Sequence, residues 1–483
     1  MRGGVRSPTG WLVVPVGDGP FDRAGEACGV FAASVPGAQV ANLVYFGLFA
    51  LQHRGQESAG IAVADGEQLT AYKNMGLIST VFDEHKLAGL QGSIGIGHTR
   101  YSTTGSSSWV NAQPSFRAVG DRAVALGHNG NLTNTVELSS RLGSAPGSTD
   151  SELMTEAIAG KLTDDPSLSL PEAIAASMPE FEGAYTLVVM DETVVAAVRD
   201  PHGFRPLSLG RLPGGGHVVA SETAALDIVG AEFMRDVRPG EMVVLSNGTV
   251  ESSFPVEPAP SKLCVFEYVY FARPDSTVAG QNVHAARVEM GRRLAAESPA
   301  TADVVVPVPE SGIPAAQGFS AASGLPYRDG LVKNRYVGRT FIQPDQLLRD
   351  RGVRMKLNPI RESLEGQRIV LVDDSIVRGS TTHQLVEMAR AAGATEVHLR
   401  VSSPPYRWPC FYGMDTSDRS SLLAAHRSET EIAEFLGVDS LGYLSYDGLL
   451  ASIPDATESF CTACLSGEYP TPIGADKFIR EQQ

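Results

Sequence analysis

Between Cys28 and about Asn247 the apolar residues come in short runs rich in β-branched and aliphatic side chains, at 94–98, 123–127, 185–190, 218–221 and 242–245. Short runs of this composition, bounded by turn-forming residues, predict strands. Two segments, 40–52 and 151–161, instead repeat their apolar positions at helical spacing. Thr149 and Asp150 stand where the second helix needs an N-cap, and Glu152 puts a carboxylate in its first turn, close to unpaired N–H groups. This half reads as mixed α+β.

Residues 254–262 (FPVEPAPSK) hold three prolines in nine positions, which predicts an extended crossing between domains. Past it the order becomes helix 284–297, strand 303–308, helix 314–323, strand 368–373, helix 382–392 and strand 396–402. Such alternation predicts a parallel sheet joined by right-handed crossovers. Residues 7–20 are dense in Gly and Pro without periodicity, so 1–27 reads as a leader. The expected units are therefore the leader 1–27, a domain at 28–258 and a domain at 259–483.

Charge and cysteine usage narrow the function. Lys and Arg number 39 against 55 Asp and Glu, a formal charge of −16 over 483 residues. That balance opposes non-specific attraction to nucleic acid or anionic lipid, so neither is an expected partner and any anionic ligand must be held by local groups. The richest apolar stretch, 41–51, is shorter than the roughly 18 residues of a membrane span and contains Asn42 and Gly47. The patch at 11–16 is too short, and too broken by Pro15, for a secretory signal, which places the protein in the cytoplasm. In that reducing compartment the five cysteines are expected to be catalytic or metal-binding rather than disulfide-bonded. They separate into Cys28 alone and a set of Cys264, Cys410, Cys461 and Cys464.

The segment RIVLVDDSIVRGSTT (368–382) is an apolar strand ending in two carboxylates, then a loop of small and hydroxyl residues entering a helix. Ligands of open α/β sheets collect at the carboxyl ends of strands, and a helix N-terminus offers free N–H groups to an anion. Ser375, Gly379, Ser380, Thr381 and Thr382 can wrap a phosphate, while Asp373 and Asp374 face ribose hydroxyls or a bound Mg²⁺. A second strand and small-residue turn, DVVVPVPESG (303–312), has the same design. Between them KNRYVGRTFI (333–342) is basic in an acidic protein, as a lid over a departing anion requires.

The first half carries a different chemistry. Cys28 in EACGVF (26–31) directly follows the leader; once the leader is removed, its own α-amine can act as base for its thiol, with no partner histidine. Arg100 in GHTRYST (97–103) can grip an α-carboxylate with its planar fork. Asn129 and Gly130 in GHNGN (127–131) offer a side-chain amide and a backbone N–H to an oxyanion. Asp150 in STDSE (148–152) can pair with an ammonium. Together these describe a glutamine amidase.

With LQHRGQESAG (51–60), these segments resemble the class II glutamine amidotransferases, which implies an N-terminal-nucleophile αββα sandwich with Cys28 as nucleophile. Asn129 and Gly130 become the oxyanion hole, and Arg54, Arg100 and Asp150 the glutamine contacts. The pattern at 370–382 resembles the signature of type I phosphoribosyltransferases, α/β domains that bind 5-phosphoribosyl 1-pyrophosphate (PRPP). That resemblance implies PRPP contacts at Glu310, Ser311, Gly312, Lys333, Arg339, Asp373, Asp374, Ser375, Arg378, Gly379, Ser380, Thr381 and Thr382. It places Mg²⁺ at Ser311, Asp373 and Asp374. Ser380 stands where many relatives have Thr and keeps the hydroxyl. The order of the halves resembles the amidophosphoribosyltransferase family, which starts purine nucleotide synthesis from glutamine and PRPP. The resemblance further implies purine nucleotides as feedback inhibitors and a homo-oligomer, tetramer or dimer.

Four thiolates fit either a tetrahedral zinc or a [4Fe–4S] cluster. Structural zinc sites usually pair two short C-x₂₋₄-C units, and only one, Cys461 with Cys464, is present. The dispersed set with Cys264 and Cys410 resembles the iron–sulfur branch of the family. Two rival readings are another class II amidotransferase, which lacks a DDSIVRGSTT loop, and a nucleotide-sensing regulator, which has no use for an amidase.

Overall fold

Alternation along single strands builds the first half. In the strand Gly29–Ser34, Val30 and Ala32 face one way while Phe31 and Ala33 face the other, and all four are fully buried. This strand sits inside a seven-stranded sheet, antiparallel to His217–Ala220 on one side and Ile94–Arg100 on the other. A six-stranded antiparallel sheet, including Arg122–Leu132, Gly183–Met190, Val195–Arg199 and Met242–Ser246, packs against it. Val30, Ala32 and Ile96 of the first sheet share a core with Ala125, Val188, Ala197 and Val243 of the second. Helix Ala41–Ala50 covers the outer face of the first sheet; Asp150–Asp164 and Leu170–Ser177 cover that of the second. The layers are those of the expected αββα sandwich.

The computed structural model describes residues 28–101, 108–144, 148–334, 356–456 and 458–474. The leader, Arg339 and most of the basic segment at 333–342 lie outside the described residues. Among the described residues no helix is long and apolar enough to cross a membrane.

The second half contains a four-stranded parallel sheet in the order Val304–Pro307, Arg368–Asp373, Glu396–Val401, Ser440–Tyr443. Three of these strands were expected; Ser440–Tyr443 is an addition. Val305, Val370 and Val372 face helices Val283–Glu297 and Ile313–Ser323, while Val304, Ile369 and Leu371 face Ser380–Ala391. The proline-rich crossing runs along the first half, where Ala259 N–H donates to Pro201 O at 2.9 Å and Lys262 N–H to His202 O at 2.7 Å. It delivers Leu263–Cys264 to a parallel pairing with Phe460–Cys461, placing Cys264 opposite Cys461. The far end of the chain thereby returns to the junction of the halves.

Candidate active sites

Cys28 stands at the entrance of the strand Gly29–Ser34, next to the end of Ile94–Arg100, so the sheet register brings Arg100 close to it. Cys28, Arg100, Gly130 and Asp150 share one cavity wall, completed by Tyr101, Asn111, Gln113, His128, Thr149 and Ser151. The Cys28 Sγ–H donates to Tyr101 O at 3.5 Å. Burial raises the thiol above its ordinary pKa, with Asp150 and Glu57 adding to the effect and Arg100 opposing it.

Asp150 is the first residue of its helix, fixed by a reciprocal capping box in which Thr149 Oγ1 accepts from Glu152 N–H and Glu152 accepts from Thr149 N–H. Burial disfavours the Asp150 carboxylate. His128 Nδ1 3.5 Å away and the N–H groups of Ser151 and Leu132 outweigh it, holding the pKa below its ordinary value. His128 is itself held: its N–H donates to Gln113 Oε1 at 2.7 Å and its carbonyl lies 2.9 Å from His98 Nε2. Burial drives His98 down to about 3, so its ring is neutral and Nε2–H is the donor to that carbonyl.

Gly130 takes φ of +144°, and a Cβ there would come within 2.2 Å of Ala184 O; only glycine fits. Asn129 is buried beside it, and neither side-chain amide atom has a hydrogen-bond partner among the described residues. Arg54 is elsewhere. Expected among the glutamine contacts, it is instead fully buried between Glu222 and Glu267, with Nε donating to Glu222 Oε1 and Nη2 to Glu267 Oε2. Its fork is used up by carboxylates from both halves.

The second site lies at the carboxyl ends of the parallel strands. Ser311 Oγ donates to Asp374 Oδ2, joining the two predicted loops, and Ser375 Oγ donates to Asp374 Oδ1 at 2.6 Å. Asp373 Oδ1 accepts from Asp374 N–H at 2.9 Å. Asp373, Asp374, Ser375, Thr381 and Thr382 are all buried. Gly379 caps the following helix at φ of +86°, where a Cβ would meet Leu423 Cδ2 at 2.6 Å. The turn at Glu310–Gly312 leads into helix Ile313–Ser323, and Lys333 Nζ reaches Glu310 Oε2 at 3.2 Å. Arg378 and Ser380 follow in the same loop and helix start. Arg287, which the sequence reading passed over, is buried here. Burial lowers it to about 10, opposed first by Asp374, and it donates to Tyr268 O and Ala272 O.

The remaining four cysteines converge. Cys264 and Cys464 share a core to which Cys410 packs, and Cys461 lies in an adjoining cluster with Cys410 against it. Burial raises the Cys464 thiol well above its ordinary value, and Cys410, Cys264 and Cys461 raise it further by charge repulsion. Arg205, buried beside Cys264 and Cys410, opposes this for Cys264, whose thiol burial pushes up to about 11. Among the described residues no group of three or more His, Cys, Asp or Glu side chains is arranged to hold a metal ion.

Residues 98–228 match the family described as a glutamine amidotransferase domain. Over 463 residues, 93% of this chain and 87% of the relative, the sequence is 53% identical to an amidophosphoribosyltransferase of Mycobacterium tuberculosis. The chain belongs to the amidophosphoribosyltransferase family. Another amidophosphoribosyltransferase, from Bacillus subtilis, is 47% identical over 460 residues, covering 94% of this chain and 96% of that one. A solved structure described as the B. subtilis glutamine PRPP amidotransferase complexed with ADP and GMP has a TM-score of 0.86 at 44% identity, over 94% of this chain and all of that one (100%). Both halves, the amidotransferase sandwich and the phosphoribosyltransferase sheet, thus fall within one amidophosphoribosyltransferase match.

Proposed function

We propose that the chain converts PRPP, glutamine and water into 5-phospho-β-D-ribosylamine, glutamate and pyrophosphate, the first step of purine nucleotide synthesis, in two separate chambers. The observation that carries the first chamber is the meeting of Cys28, Arg100, Gly130 and Asp150 on one cavity wall. Removal of residues 1–27 frees the α-amine of Cys28, which takes the thiol proton as the sulfur attacks the glutamine side-chain carbonyl. Arg100 grips the substrate carboxylate and Asp150 its ammonium. The Gly130 N–H, with the Asn129 amide beside it, takes the oxyanion; the α-ammonium passes the proton to the departing nitrogen, ammonia leaves, and water then releases glutamate from the thioester.

The second chamber is built where Ser311 bonds Asp374. There Ser375, Gly379, Ser380, Thr381 and Thr382 hold the 5-phosphate, and Asp373 and Asp374 hold the ribose hydroxyls. Glu310, Gly312, Lys333, Arg339 and Arg378 serve the pyrophosphate side. Mg²⁺ held at Ser311, Asp373 and Asp374 supplies charge neutralisation of the leaving group when bound. Ammonia from the first chamber attacks C1 of the ribose with inversion, so the chain's main task is alignment.

The four-cysteine set fits a [4Fe–4S] cluster better than zinc. Structural zinc sites usually pair two short C-x₂₋₄-C units, and only Cys461 with Cys464 forms one in this sequence, whereas a four-iron cube binds each thiolate at its own metal atom. We read this cluster as structural, tying the segment around Cys461 to the junction. The enzyme works in the cytoplasm as a homo-oligomer, and purine nucleotides restrain it, in keeping with the ADP and GMP in the B. subtilis structure.

A Cys28→Ala protein tests the two-chamber scheme: glutamine-dependent synthesis disappears and ammonia-dependent synthesis persists. Loss of both contradicts it. N-terminal sequencing of active protein should begin at Cys28. Iron and sulfide should each be about four per chain; one zinc per chain would overturn the cluster.

A further inference from the structure

The oxyanion strand of the first half is held from behind by the segment that carries Cys410. Asn131, one residue beyond Gly130, donates its side-chain Nδ2–H to Phe411 O at 2.8 Å, and the contact is buried. Gly413, at φ of +106°, lies so close that a Cβ there would come within 3.1 Å of the Gly130 carbonyl carbon and 3.2 Å of its Cα. The same stretch is itself tied down. Arg205 Nη2 donates to Tyr412 O at 3.0 Å, the Tyr412 ring stacks on Phe204 with centroids 4.2 Å apart, and Tyr412 N–H points at Cys410 Sγ at 3.4 Å.

Gly130 therefore has Ala184 O and Gly413 both close against it, and the next residue, Asn131, is tied to the same segment as Gly413. An oxyanion donor works only at its proper place, since an error near 1 Å can cost about 100-fold in rate. We propose that Asn131 and Gly413 are positioning residues for glutamine hydrolysis, through which the cysteine-bearing segment of the second half fixes the oxyanion donor of the first. The inference rests on the reading of Gly130 as that donor. Ground-state binding is assigned to Arg100 and Asp150, so a disturbance confined to the Gly130 donor lowers kcat and leaves KM nearly alone.

The test uses the purified processed holoenzyme, beginning at Cys28, and measures glutamine hydrolysis and ammonia-dependent ribosylamine synthesis on each variant. Asn131→Leu keeps the volume and removes the donor; kcat for glutamine should fall roughly 10- to 100-fold, KM should stay within about twofold, and ammonia-dependent synthesis should be unchanged. Asn131→Gln, which keeps an amide, should recover part of the loss. Gly413→Ala, which puts a Cβ against the Gly130 backbone, should give the same split independently. A raised KM with normal kcat, or parallel loss of both activities in these variants, overturns the proposal. With Cys28→Ala inactive towards glutamine, a wild-type kcat in Asn131→Leu and Gly413→Ala defeats the brace alone; hydrolysis surviving in Cys28→Ala defeats the underlying reading instead.

Discussion

Arg54 and Glu267 meet across the boundary between the halves, fully buried, with Nη2 2.5 Å from Oε2. Glu222 occupies another edge of the same guanidinium, and Arg205 Nη1 reaches Glu267 Oε1 at 3.2 Å. Burial alone would lower Arg54, but the two carboxylates overcome it and raise its pKa. Removing one partner of such a set strands charge in a low-dielectric interior. Arg54→Met should therefore destabilise the protein by about 3–5 kcal/mol, measured by denaturant unfolding. Unchanged stability with a raised KM for glutamine would return Arg54 to the list of substrate contacts.

Gly130→Ala should be more selective. A Cβ at 130 meets Ala184 O at 2.2 Å and His128 Nε2 at 3.0 Å, so the backbone must turn its N–H away. Glutamine-dependent turnover should drop roughly 10²- to 10³-fold, the range for loss of one oxyanion donor. Ammonia-dependent turnover, measured on the same preparation, should stay near wild type.

Asp374→Asn acts on the other chamber. The substitution removes a carboxylate that accepts from both Ser311 and Ser375. Synthesis from glutamine and from ammonia should fall together, by roughly 100-fold, with a higher Mg²⁺ concentration needed for half-maximal rate. Cys28-dependent glutamine hydrolysis, followed as glutamate release, should continue.

His98 gives the fold an acid weakness. Its folded pKa is about 3 against an ordinary 6.5, so between these values the unfolded chain binds a proton that the folded chain refuses. Stability then rises with pH across that window and is lost as pH falls below 6.5, at about 1.4 kcal/mol per unit. His98→Gln keeps a donor for the His128 carbonyl and removes the titration. Between pH 7 and pH 5 the variant should lose about 2 kcal/mol less stability than the parent, as read from urea midpoints at each pH.

The strands with dense aliphatic runs, such as Gly183–Met190 and Arg368–Asp373, were legible because β-branched residues buried on both sides leave a continuous apolar signal. Gly29–Ser34 was not, for GVFAAS mixes glycine and alanine with little intrinsic strand preference. Its conformation comes from two flanking partners in full register. Leu69–Met75 escaped notice for another reason: it is an edge strand carrying polar, exposed residues. In the first site Cys28, Arg100 and Asp150 lie in short motifs whose residue types limit their chemistry. Arg54 misled, because an arginine in a loop looks the same whether it meets a substrate or a carboxylate 213 positions away. His128 was inside the quoted GHNGN, yet its role depends on Asp150 across a helix start, which linear spacing does not reveal.

The parallel pairing of Cys264 with Cys461 has a consequence for synthesis on the ribosome. Glu458, three residues before Cys461, bonds Arg199 over a separation of 259 positions, and Ala463 packs beside Phe204 and Ala184. A nascent chain can form its sandwich layers early, but the packing around Arg199, Phe204 and Ala184 waits for these late residues. The first half thus completes its packing only after the last strand of the second has been made.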